Sequence, residues 1–82
     1  TGWTGFQNYH PDGKGGYLTL FREIDNEETE KGIQLKFIKD QQLLIEDLMT
    51  GTKETVEVDA GGYVQFKMPD PASFKFLKYE VL

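Results

Sequence analysis

Turn-forming residues interrupt this 82-residue chain about every ten positions, and no feature of the sequence constrains its fold more. His10-Pro11-Asp12-Gly13-Lys14-Gly15-Gly16, Lys39-Asp40-Gln41, Thr50-Gly51, Ala60-Gly61-Gly62 and Pro69-Asp70-Pro71 all bend the backbone, because proline fixes φ and glycine tolerates positive φ. Short runs remain between them: Trp3 to Tyr9, Tyr17 to Glu23, Glu30 to Ile38, Leu43 to Leu48, Thr55 to Val58, Tyr63 to Met68 and Ser73 to Val81. Several alternate with period two, as in Ile33, Leu35 and Phe37 against Gln34 and Lys36, which is the pattern of a half-buried strand. Leu43, Leu44, Asp47 and Leu48 also have partly helical spacing, but the hairpin signals on either side favour a strand. About seven short strands with turns between them predict an all-β fold, a small antiparallel β-sandwich filling residues 1–82 as one domain.

Composition sets what such a sandwich can hold. A chain of this size buries only ~60–65% of the surface that it exposes when unfolded. Hydrophobic residues make up 38% and aromatics 13%. That fills a thin two-layer core and leaves no room for a deep enclosed active site. Fourteen acidic side chains against nine Lys and Arg give a net charge of −5, which repels a phosphate backbone and excludes nucleic acid as partner. No run approaches the ~20 apolar residues of a helical membrane span, so no membrane partner is expected. With no cysteine there is neither a disulfide nor a thiolate metal site, and the compartment stays undetermined. A start at Thr1 suggests an excised domain or a processed product.

Catalytic chemistry finds little to build on. His10 is the sole histidine and Ser73 the sole serine. Ser73 follows Pro-Asp-Pro-Ala with none of the glycines of a nucleophile elbow. The acidic stretch Glu23, Asp25, Glu27, Glu28, Glu30 matches no calcium-loop spacing and reads as a solvated loop. Asp12-Gly13-Lys14-Gly15-Gly16 lacks P-loop spacing and precedes a strand. The expectation is a domain with no catalytic residues, no cofactor and no metal.

The aromatic residues are the feature above background. If Phe6, Leu18 and Leu20 point inward, strand parity sends Trp3 and Tyr9 outward, together with Tyr17 and Phe21. A surface bearing Trp3, Tyr9, Tyr17 and Phe21 is too apolar for a free monomer. Three readings stand side by side: burial against another domain, stacking on sugar rings, or an inverted parity that makes these residues core.

Here the motifs resemble a family. Trp3-x-Gly5-Phe6-Gln7, a Gly-rich turn and Gly16-Tyr17-Leu18-Thr19-Leu20-Phe21-Arg22 resemble the opening of C-terminal β-domains of glycoside hydrolases, the α-galactosidase (melibiase-like) enzymes and their amylase-like relatives. Leu43 to Gly51 resembles their "strand, Asp-Leu, x-Thr-Gly" hairpin, and Gly62 to Pro69 with Ser73 to Val81 their last two strands. The resemblance implies an accessory domain that follows a (β/α)8 catalytic barrel, packs on it and carries none of its catalytic acids. It also implies that Tyr79-Glu80-Val81-Leu82 closes a protein. Trp3 and Phe21 are then the expected anchors of the interdomain contact, and oligo- or polysaccharide is a further expected partner. Two rival expectations remain. One is an autonomous carbohydrate-binding module with Trp3, Tyr9, Tyr17 or Tyr63 as platform and Gln7 and Asn8 as hydrogen-bonding groups. The other is a protein-interaction domain using an open sheet edge free of guarding lysines, against which Lys75 and Lys78 near the end argue.

Overall fold

The computed structural model describes residues 3–23 and 27–82. Seven strands form in the order β1 (Trp3–Tyr9), β2 (Gly15–Arg22), β3 (Glu30–Gln34), β4 (Gln41–Asp47), β5 (Lys53–Val58), β6 (Tyr63–Lys67) and β7 (Phe74–Val81). All pairings are antiparallel. Five strands make one sheet in the order β1-β2-β7-β4-β5, and β3 pairs with β6 as a smaller second sheet. The fold is the all-β sandwich that the turn spacing predicts.

Turn chemistry explains the hairpins. Asp47 Oδ1 accepts hydrogen bonds from the N–H groups of Met49 and Thr50, and Gly51 takes φ 77°, where a side chain would be strained. Asp12 Oδ1 accepts from Lys14 N–H and closes the first hairpin in the same way. Asp59 Oδ1 accepts from Gly61 and Tyr63 and ends the β5–β6 connection.

Alternation explains the core. Leu18 and Leu20 of β2, Leu77 and Tyr79 of β7, Leu43 and Ile45 of β4 and Val58 of β5 face Val64 and Phe66 of β6, with Leu35, Ile38 and Met68 from the flanking segments. The predicted strand through Ile38 is cut short. Phe37 adopts φ 66° and turns outward, 73% exposed, so Leu35 and Ile38 fill the core rather than Leu35 and Phe37. The segment Asp40 to Thr50 contains β4 and no helix. Asp25, in the middle of the acidic stretch, lies outside the described residues, whereas Glu27, Glu28 and Glu30 are exposed.

Candidate functional site

Strand register decides which aromatics share a surface. In the β1–β2 hairpin Trp3 lies opposite Arg22, Gly5 opposite Leu20, Gln7 opposite Leu18 and Tyr9 opposite Gly16. Directly opposite residues point to the same side. Trp3 and Tyr9 therefore share the inner face with Leu18 and Leu20, and Phe6 lies on the outer face. This corrects the expectation that Trp3, Tyr9, Tyr17 and Phe21 form one surface. Tyr17 and Phe21 do lie outside; Trp3 and Tyr9 do not join them. The cause is the turn, which is the four residues Pro11 to Lys14 rather than the seven of His10 to Gly16: His10 N–H donates to Gly15 O, and Gly15 and Gly16 already belong to β2. That count pairs odd positions of β1 with even positions of β2.

On the inner face Trp3 is half-buried against the core, and its indole N–H donates to the Glu28 carbonyl at 3.0 Å. Tyr9 meets Phe37 edge-on at 5.0 Å between ring centroids. Gln7 ties the layers together. Its Oε1 accepts from Lys36 N–H at 2.7 Å, while Nε2 donates to Lys36 O at 3.2 Å and to the Tyr79 hydroxyl at 3.0 Å. Replacing Gln7 with Ala is expected to cost about 2 kcal/mol in chemical denaturation, because the buried Tyr79 hydroxyl loses a partner.

The outer face gathers a different set. Phe21 sits opposite Phe74, and Thr19 lies between Phe6 and Phe76. Tyr17 lies between Asn8 and Lys78, its ring 6.1 Å from that of Phe76 and inclined by 43°. Phe6, Tyr17, Phe21, Phe74 and Phe76 are 37% to 67% exposed. Together they show on the order of 500 Å² of apolar surface, about a tenth of the chain's 5373 Å². Leu48, whose N–H donates to Phe76 O, continues the patch toward β4.

The rest of this face is polar. Glu46 lies between Lys78 and Lys53, with Thr55 and Glu57 beyond it, and the exposed Lys78–Glu80 pair at 3.7 Å contributes at most about 1 kcal/mol. The face is thus divided into an aromatic half over β1, β2 and β7 and a charged half over β4 and β5.

Sequence reasoning missed Phe6, Phe74 and Phe76 as members. The signal was present in β7, where Phe74 and Phe76 alternate with Leu77 and Tyr79, but counting Phe6 as core hid the join. Lys75 and Lys78 also need correcting as edge guards, because β7 runs between β2 and β4 in mid-sheet.

The two residues considered for nucleophilic chemistry are held apart. His10 pairs with the Gly15 end of β2 and Ser73 with the Arg22 end. Seven residues of strand separate those ends by about 23 Å. Ser73 Oγ donates to the Asp70 carbonyl, and the His10 ring lies 6.3 Å from that of Tyr17. A recess of about 270 Å³ at the β4–β5 turn holds Asp47, Glu54 and Lys75, and it includes none of the aromatic set. Among the described residues no group of three His, Asp or Glu side chains could hold a metal. Compared with known proteins, the chain matches no family model, no curated protein and no solved structure.

Proposed function

We propose that this chain is a non-catalytic accessory β-sandwich that docks onto a larger domain through the aromatic half of its outer sheet face. One observation carries the reading: five aromatic side chains stand exposed on one side of the five-stranded sheet, while a separate and mainly aliphatic set fills the core on the other. Such a patch, with Leu48 at its margin, covers roughly two-thirds of the ~800 Å² per partner of a stable protein contact and would form its apolar centre. The sequence resemblance supplies the identity of the larger domain, the (β/α)8 catalytic barrel of a glycoside hydrolase. Fold alone would not name it.

Ring geometry favours a protein surface over a sugar as the occupant. A flat saccharide platform needs coplanar rings, whereas Tyr17 and Phe76, two members of this face, are inclined to each other by 43°.

An NMR shift titration of the chain with galactosides, glucans and soluble polysaccharides is expected to leave Phe6, Tyr17, Phe21, Phe74 and Phe76 unmoved. Shifts focused on Tyr17 or Tyr63 would replace this reading with a carbohydrate-binding module. In parallel, the Phe6→Ser/Phe76→Ser variant should lose at least ~half of the anilinonaphthalene sulfonate fluorescence of the parent chain, at a stability cost within about 1 kcal/mol. Unchanged dye binding would remove the aromatic face as a docking surface. The coding sequence 5′ of Thr1 tests the partner: an in-frame barrel supports it, and an initiation codon directly before Thr1 rejects it.

A further inference from the structure

The β1 edge of the five-stranded sheet leaves backbone groups open, and a cleft runs beside it. The β2–β7 ladder includes Arg22 N–H to Ser73 O and Val81 N–H to Lys14 O, so even-numbered residues of β2 bond toward β7. Odd-numbered residues bond toward β1, in agreement with His10 N–H to Gly15 O. Thr4, Phe6 and Asn8 therefore use their backbone groups on β2. Those of Trp3, Gly5, Gln7 and Tyr9 point away from the sheet, and among the described residues they have no partner.

This edge is unguarded. The opposite edge strand, β5, carries Lys53, Glu54 and Glu57, whereas β1 has no charged residue and no proline over seven positions. Along the inner side of β1 lies a cleft of about 420 Å³ with Leu18, Leu20, Ile33 and Leu35 in its walls. Gly5 opens its floor: a Cβ there would stand 3.1 Å from Leu20 Cδ2.

We propose that β1 accepts an added strand: an extended peptide segment whose inward residue beside Gly5 is aliphatic and which carries no acidic residues. Main-chain bonds to Trp3, Gly5, Gln7 and Tyr9 supply affinity, and the cleft selects the side chain at alternate positions. The absence of acids follows from the net charge of −5. A second copy fits less well, because it would bring two charges of −5 together. The inference uses the edge and not the aromatic face, so it stands apart from the docking proposed above.

The test is selection of a random 12-residue phage-displayed peptide library on the immobilised chain, followed by hydrogen exchange of the complex with a selected peptide. Enriched peptides should alternate aliphatic residues and slow exchange at the amides of Trp3, Gly5, Gln7 and Tyr9 by at least ~10-fold. Gly5→Val, which fills the cleft floor with a residue suited to strands, should weaken binding by ~10-fold or more. Thr4→Lys, which guards the edge from an exposed position, should weaken it as well. Phe76→Ser should bind as the parent chain does. Three results would overturn the proposal: no enrichment, enriched peptides that protect none of the four amides, or concentration-dependent protection of those amides without peptide, which would assign the edge to a second copy.

Discussion

Replacement of Gly16 with Val is expected to destabilise the chain by about 4 kcal/mol or more, a large share of the ~5–15 kcal/mol that holds a small domain folded. Gly16 lies between Tyr9 and Tyr79 in one row of the sheet. A Cβ at this position would run into the Asn8 carbonyl oxygen and come within 2.8 Å of Tyr9 Cα and 2.9 Å of the Tyr79 hydroxyl. Two of those atoms are backbone of the neighbouring strand and cannot swing aside. The third belongs to a side chain only 1% exposed, whose hydroxyl accepts the Gln7 hydrogen bond. Valine must therefore part β1 from β2 or push Tyr79 out of the core, and the second movement breaks the Gln7 bond to the Tyr79 hydroxyl. Gly5→Ala is the matched control. Its nearest neighbour is the tip of Leu20, a flexible methyl, so its cost should stay within about 1 kcal/mol. Urea titrations of the two variants check the contrast; a Gly16→Val midpoint matching that of Gly5→Ala would show that the close approach is not needed.

The same row shows what sequence can and cannot say about this protein. Strand positions were legible because their causes are local: period-two alternation in Tyr63 to Lys67, and Asx and glycine turns at Asp47 to Gly51. Sheet order was not, because pairing between residues about sixty positions apart leaves no local mark. β7 inserts between β2 and β4, and this takes Lys75 and Lys78 off the edge and leaves the uncharged β1 on it. Parity failed for a smaller reason. Whether an odd or an even number of residues separates the first paired positions cannot be read from His-Pro-Asp-Gly-Lys-Gly-Gly, yet it decides that Trp3 and Tyr9 turn inward and Phe6 outward. The aromatic surface was foreseen, but half of its members were misplaced.

Arg22→Met is expected to cost about 3 kcal/mol, since it keeps the buried aliphatic length and removes charge-assisted donors from carbonyls that then lack a partner. Arg22 is 5% exposed and lies on the inner face opposite Trp3. Among its bonds, Nη1 donates to Met68 O at 2.9 Å and to Pro69 O at 3.0 Å. The segment it grips is otherwise poor in ladder donors, because prolines at 69 and 71 have no N–H. Met68, fully buried, reaches back to Thr29 O, so this guanidinium straps the end of the second sheet to the first. Arg22→Lys should recover only part of the loss, because a single ammonium does not reproduce the planar fork. The strap also bears on function. The chain passes from Pro69 through Ser73 directly into Phe74 and Phe76, so a loosened 68–73 segment should disturb the aromatic face before it disturbs β4 and β5. Hydrogen exchange of Arg22→Met should therefore accelerate at Lys75 and Leu77, whose N–H groups face β2, more than at Leu43 and Ile45. Uniform acceleration would mean that Arg22 supports the fold as a whole, and a free-energy change under about 0.5 kcal/mol would mean that the Pro-rich segment holds its place without it.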